Sequence, residues 1–208
     1  MLISVGIDPA PRNTGLAIIT PDLKILKLMK APFYTVKVKS KIKKKLKLNK
    51  ESGKYELDNY ERAWTDYTKM RDIFIDYINE DIIYTVERVS SRKGEGEVTS
   101  FIFGDSFGIF HGLYAFLNPK YYYEPPPQKW KEKLGVTSDK QTSINLVKKI
   151  FSGELKKLGI DFNKEGKHDD LAEALLLALY GLNEYMDEIE RIEENGKKEN
   201  KGRKRRSK

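Results

Sequence analysis

The chain has 208 residues, 39% of them apolar with 12 Tyr, 9 Phe and 2 Trp, which suits one folded domain with tails or insertions and excludes a disordered chain. It contains no Cys, so disulfides and thiolate metal sites are excluded, and its uninterrupted apolar runs fall short of the roughly 18 residues that a membrane span needs. Its charge of +8 is unevenly placed: residues 37–50 carry +8 and residues 196–208 carry +7, leaving the remainder at −7, a mildly acidic body with two basic appendages that suggests a polyanionic partner.

An acid and a proline interrupt the N-terminal apolar run before a secretory signal can form, so the expectation is a soluble cytoplasmic or nucleoid-associated protein that is not secreted. That run starts at Leu2 and ends in Asp8, followed by Pro9; a turn-rich stretch with Pro11, Arg12, Asn13 and Gly15 leads into a second run, Leu16 to Ile19. Apolar runs bounded by turn signals predict strands buried on both faces. An unpaired carboxylate there costs several kcal/mol, so Asp8 needs a cation or a task, unless it only caps the turn. Thr14 to Thr20 can pair back antiparallel, and Lys24 to Met29 reads as a third strand.

From Tyr34 to Leu48 apolar residues sit mostly on even positions with lysines between, a period of two that predicts a ribbon with one lysine face. The ribbon can follow a phosphate backbone or be an edge strand protected by Lys. Leu57, Tyr60, Trp64, Tyr67, Phe74 and Ile78 recur at three- and four-residue spacing, predicting a helix over Tyr55 to Asn79. Ile82 to Val86 is a second buried strand ending in an acid, Glu87, and if it runs parallel to the first, both acids stand on one sheet edge.

A polar loop carrying Arg92 and Lys93 precedes Val98 to Leu117, a largely buried helix whose Gly104, Gly108 and Gly112 line one face and call for close approach of another backbone, either DNA or a packed helix. Tyr121 to Tyr123 reads as a short strand ended by three prolines. A short helix, a turn at Gly135 and a helix starting near Ser138 or Asp139 follow. The last strong helix, DDLAEALLLALYGLNEYM, has a Leu171, Leu175, Leu179, Leu182 stripe, and the i, i+3 spacing puts Asp170 and Glu173 on one face. Acids at a helix start are also favoured by the dipole alone. Residues 189–208 are expected to be a disordered basic tail.

If Asp8, Glu87, Asp170 and Glu173 converge, like charges repel and raise one another's pKa. An all-oxygen set without Cys or His clusters suits Mg²⁺, with Mn²⁺ able to substitute. Two such ions about 4 Å apart activate a water and stabilise the leaving oxygen in phosphodiester cleavage.

In this order the motifs resemble the RuvC family of Holliday junction resolvases, within the retroviral-integrase and RNase H superfamily. GIDPAPRNTG (6–15) is similar to the family's GIDPG-x-x-x-TG opening, Glu87 in TVERV to its second acid, and Asp170 with Glu173 in HDDLAEALLLAL to the D-x-x-D pair opening its last helix. Lys131 in WKEKLG and Lys140 in SDKQTS resemble basic residues that the family places near the scissile phosphate. The segment FGDSFGIFHGL is most similar to phage and viral members, which implies a phage or viral source.

The resemblance implies an α/β, RNase H-like fold over 1–188: a mixed central sheet, three antiparallel strands followed by parallel strands, flanked by helices, with a lysine-rich insertion at about 36–50. It implies a homodimeric, Mg²⁺-dependent endodeoxyribonuclease that resolves four-way junctions and other branched DNA by paired nicking, leaving 5′-phosphate ends, with two metals held per site by Asp8, Glu87, Asp170 and Glu173. Asp169 and His168 are alternate ligands. Arg12, Arg92, Lys93, Lys41, Lys43, Lys44, Lys45, Lys47 and the tail would supply salt-sensitive contacts to the DNA backbone. The family glycine is Ala10 here, the last acid is Glu rather than Asp, and residues 88–97 hold no aromatic to wedge a junction. Alternatives are an RNase H-fold nuclease acting on RNA–DNA hybrid or structured RNA, and a non-catalytic branched-DNA binder. An actin-like sugar kinase would need a second lobe and further glycine-rich loops that this chain lacks.

Overall fold

The structure, a computed structural model, describes residues 1–10, 12–39, 46–48, 55–57, 59–90, 96–162 and 168–206. Its elements in chain order are β1 (Leu2–Asp8), β2 (Gly15–Ile19), β3 (Ile25–Lys30), β4 (Phe33–Lys39), β5 (Leu46–Leu48), β6 (Tyr55–Leu57), β7 (Asn59–Thr65), α1 (Tyr67–Phe74), β8 (Asp81–Val86), α2 (Glu97–Leu117), β9 (Tyr121–Tyr123), α3 (Pro127–Leu134), α4 (Lys140–Leu158) and α5 (Asp169–Arg206). The central sheet has the order β3-β2-β1-β8-β9. β1, β2 and β3 pair antiparallel, and β8 and β9 add on parallel, as expected from the sequence.

Period-two alternation sorts the sheet's side chains between two cores. Ile3, Val5 and Ile7 of β1, with Ile82, Tyr84 and Val86 of β8, pack against Met70 and Phe74 of α1 and Phe110, Leu113 and Leu117 of α2. On the opposite face Ala17, Ile19 and Ile25 meet α3, α4 and α5 through Trp130, Val147, Phe151, Leu175 and Leu179. The sheet is thus sandwiched between helices, and both faces are dry, which explains the continuous apolar strands.

Two glycines let α5 lie directly on the sheet. A Cβ on Gly6 would overlap the Ala174 carbonyl and the Ala178 backbone, with Ala178 Cα only 2.9 Å away. One on Gly15 would strike the Asp170 carbonyl. Ser4 adds a buried hydrogen bond, its Oγ donating to the Ala178 carbonyl at 2.7 Å.

The structure corrects several expectations. Residues 59–65 form a strand, not the start of a helix: β7 pairs antiparallel with β4 from Phe33↔Thr65 to Lys39↔Asn59. The three- and four-residue aromatic spacing mimics a helical stripe, but NYERAWT also alternates, and buried Ala63 and Thr65 mark its inner face. The helix begins only at Tyr67, capped by Asp66, whose side chain accepts from Lys69 N. The ribbon predicted at 34–48 is strand at Phe33–Lys39 and Leu46–Leu48, and β5 pairs with β6; residues 40–45 lie outside the described residues.

Helix α2 is not largely buried. One stripe, Phe110, Leu113 and Leu117, meets the sheet, while Phe101 is 69% exposed. Outside the helix's own turns, no described atom lies within 4 Å of a Cβ built on Gly104, Gly108 or Gly112, so no described helix packs backbone-to-backbone on this face. Within α2, Ser100–Leu117 is long and apolar enough to cross a membrane by length and composition, although no single uninterrupted apolar run in it is; 22% of it is buried. Finally, α5 continues to Arg206, through residues expected to be disordered. Its later turns are rich in Glu, Lys and Arg, which favour helix, and Glu193 and Lys197 pair at i, i+4, 3.8 Å apart.

Candidate metal centre

The alternation that buries Ile3, Val5 and Ile7 on one face turns Ser4, Gly6 and Asp8 toward α5. In β8 the same rule places Ile83 and Thr85 under Gly181 of α5, so Glu87, next in that period, comes to the same side. The Glu87 amide extends the β1–β8 ladder by donating to the Ile7 carbonyl at 3.0 Å, and the Arg88 amide donates to the Pro125 carbonyl at 3.0 Å. Two parallel strands therefore end side by side, each with an acid on the α5 face.

Helix α5 starts at this edge, its first turn carrying Asp169 and Asp170, and Glu173 one turn further on. Carboxylate oxygens of Asp8, Glu87 and Glu173 lie within 4.8 Å of one another. Asp8 keeps some solvent contact, yet its carboxyl is set deep among protein atoms, and its pKa is pushed well above the usual carboxylate range. Burial is the largest cause, followed by the charges of Glu87, Glu173 and Asp170; Lys131 opposes them. Asp170 is outside the 4.8 Å group but acts on Asp8 through this field. It is 7% exposed, and among the described residues no well-directed hydrogen bond reaches either of its buried carboxylate oxygens. Lys30 Nζ is 2.9 Å from Asp170 Oδ2 and supplies charge without a directed hydrogen bond.

Basic and polar groups brace the acids. Lys131 Nζ donates to Glu173 Oε1 at 2.7 Å, and the indole of fully buried Trp130 donates to Glu87 Oε2 at 3.0 Å. Lys140 pairs with Asp169, which lowers the pKa of Asp169 against the effect of its burial and raises that of Lys140. The β1–β2 turn is closed by buried Thr14, whose Oγ1 accepts from the Ala10 amide at 2.9 Å and donates to the Ala10 carbonyl. Ala10 keeps a negative φ, so the turn does not require the glycine of the family opening.

This donor set fits a divalent cation. Three carboxylates crowd together, a fourth is buried with one oxygen, Oδ1, that no donor among the described residues meets, and all are hard oxygens of the kind that Mg²⁺ or Mn²⁺ prefers.

No protein-family model matches the chain, and no curated protein matches it. Among solved structures, Thermus thermophilus RuvC in complex with Holliday junction substrate aligns over 88% of this chain and 96% of its own, at 14% identity and a TM-score of 0.50. The fold is RuvC-like. A second T. thermophilus RuvC structure aligns over 89% of this chain and 96% of its own, at 16% identity and a TM-score of 0.48.

In this RuvC-like, RNase H-like frame, the sequence-predicted acids Asp8, Glu87 and Glu173 come together, with Asp170 buried beside them. Asp169 faces outward to Lys140. His168 precedes α5, its carbonyl accepting from the Ala172 amide at 3.0 Å and its ring edge-on to Phe162 at 5.6 Å between centroids; it is not in the 4.8 Å group. Arg12 is exposed in the β1–β2 turn. The side chain of Lys47, and Lys41, Lys43, Lys44, Lys45, Arg92 and Lys93 altogether, lie outside what is described.

Sequence reasoning missed Trp130 and Lys30. Trp130 had a signal, because a tryptophan buried with its helix needs a partner for its N–H. Lys30 had only its place at the end of β3, opposite Gly15 and hence near Asp170.

Proposed function

We propose that the chain is a divalent-cation-dependent endonuclease that cuts four-way and other branched DNA as a homodimer. The observation that carries this is the convergence of Asp8, Glu87 and Glu173 within 4.8 Å at the carboxyl ends of β1 and β8. The likeness to a RuvC bound to Holliday junction substrate supports the substrate class.

Asp8, Glu87, Asp170 and Glu173 would hold two cations. Bound there, divalent cations neutralise the carboxylates, make a water nucleophilic at neutral pH and stabilise charge on the departing oxygen. Lys131 keeps Glu173 oriented and, with Lys140, brings positive charge to the edge where a scissile phosphate arrives. Arg12, Arg92, Lys93 and the lysines of 41–47 attract the backbone without reading sequence. A symmetric dimer carries two sites and permits paired nicks, leaving 5′-phosphate and 3′-hydroxyl ends.

Labelled four-way junction, fork, linear duplex and RNA–DNA hybrid, incubated with Mg²⁺ or with chelator, test this reading. The junction is expected to be cut only with Mg²⁺, and not by Asp8→Asn. Undiminished cutting by Asp8→Asn overturns the ligand set. Preferential cutting of the hybrid moves the activity to another RNase H-fold nuclease, and binding without cutting makes the protein a branched-DNA binder.

A further inference from the structure

Helix α3 places two consecutive side chains on two different acids. Trp130 donates its indole N–H to Glu87 Oε2 at 3.0 Å, and Lys131 donates to Glu173 Oε1 at 2.7 Å. The ammonium of Lys131 also stands over the Trp130 ring, 5.0 Å from its centroid. Glu87 follows β8 and Glu173 lies on α5, so this one short helix grips the acids of both elements.

The mounting of α3 is stiff. Pro127 occupies its first turn, Gly135 ends it in the left-handed region at φ 69°, and Trp130 is fully buried in the core with Val136, Val147 and Phe151. Its entry is tied to the end of β8 by the Arg88 amide donating to the Pro125 carbonyl at 3.0 Å. The indole N–H is a donor with no acceptor capacity. It can hold a carboxylate but cannot compete for a cation.

We infer that Trp130 is a positioning residue for the cation site: its indole N–H fixes the Glu87 carboxylate in the orientation that faces Asp8 and Glu173. This rests on the reading of Glu87 as a cation ligand given above. Removing the donor takes away one of the contacts that order the glutamate arm, and more of that ordering then falls to the cation when it binds. Outer partners of metal ligands typically change affinity by about 10–100-fold, and a loss on the order of tenfold is expected here.

The test uses Trp130→Phe, which keeps an apolar ring and removes the N–H, with Asp8→Asn beside it. Mn²⁺ affinity is measured by calorimetry, and cleavage is followed against Mg²⁺ concentration. Trp130→Phe should bind Mn²⁺ about tenfold more weakly and need correspondingly more Mg²⁺, while reaching near-parent cleavage at saturation. A merely structural role would instead lower cleavage at every Mg²⁺ concentration and leave the half-saturation point in place. Parent-like Mn²⁺ affinity in Trp130→Phe, with binding lost in Asp8→Asn, overturns the role of Trp130 and leaves the cation site standing. Parent-like affinity in Asp8→Asn overturns the site itself, and this inference with it.

Should Trp130→Phe not fold, Trp64→Phe leaves Trp130 as the sole tryptophan of the chain. Its indole N–H resonance should exchange slowly with solvent and move on addition of Mg²⁺ and on Glu87→Gln. A resonance indifferent to both overturns the proposal.

Discussion

Replacing Asp8 by Asn should make the cation-free protein more stable. Its carboxylate lies within 4.8 Å of those of Glu87 and Glu173. At an effective dielectric constant of about 20, two full charges at that separation repel by about 3.5 kcal/mol. The folded protein escapes part of this by holding a proton on Asp8, and Lys131 offsets another part, so the net gain on substitution is about 1–3 kcal/mol. For a chain of this size that is a rise of about 5 °C in midpoint.

Thermal unfolding in chelator at neutral pH reads the difference directly. The folded-state pKa of Asp8 lies above its ordinary value of 3.8, so the folded protein binds more protons than the unfolded one. Stability from this group is therefore complete below 3.8 and is lost as pH rises through the folded-state value. Parent and Asp8→Asn should converge in acid and separate toward neutrality. Saturating Mg²⁺ should then raise the parent's midpoint and leave that of Asp8→Asn nearly unchanged. An Asp8→Asn protein no more stable than the parent in chelator, at every pH, refutes the reasoning.

Asp170→Asn should lower Mg²⁺-dependent cleavage on the order of 100-fold, whereas Asp169→Asn, which touches an exposed pair with Lys140, should stay within a few-fold in the same assay. Lys131→Met strands Glu173 in a site where both partners are mostly buried, and urea unfolding in chelator should show a loss of about 3 kcal/mol. Gly6→Ala drives a methyl into the α5 backbone at Ala174 and Ala178, and a loss of about 3 kcal/mol or more is expected by thermal unfolding.

The strands that build the site were legible because each is dry on both faces and ends in a single acid. Alternation alone then places Asp8 and Glu87 on one side, and the i, i+3 spacing does the same for Asp170 and Glu173. Which of Asp169 and Asp170 is buried needed tertiary structure, since neighbours on a helix differ only in which face meets the sheet. The β7 strand was misread because its partner, β4, lies far back in the chain, and local spacing carries no record of a distant pairing. For Gly104, Gly108 and Gly112, glycine spacing says that a backbone can approach and not which one, and no described helix of the chain does. Trp130 was hidden among lysines, and only the fold brings it to Glu87.

Where α5 lies on β1 through Gly6 and Gly15, main chain meets main chain. The separation of Asp8 from Glu173 is then fixed by the thickness of two backbones, and the volumes of neighbouring core residues have no part in it. Core side chains can be exchanged over long evolutionary times without moving the acids apart, provided those two positions keep no side chain.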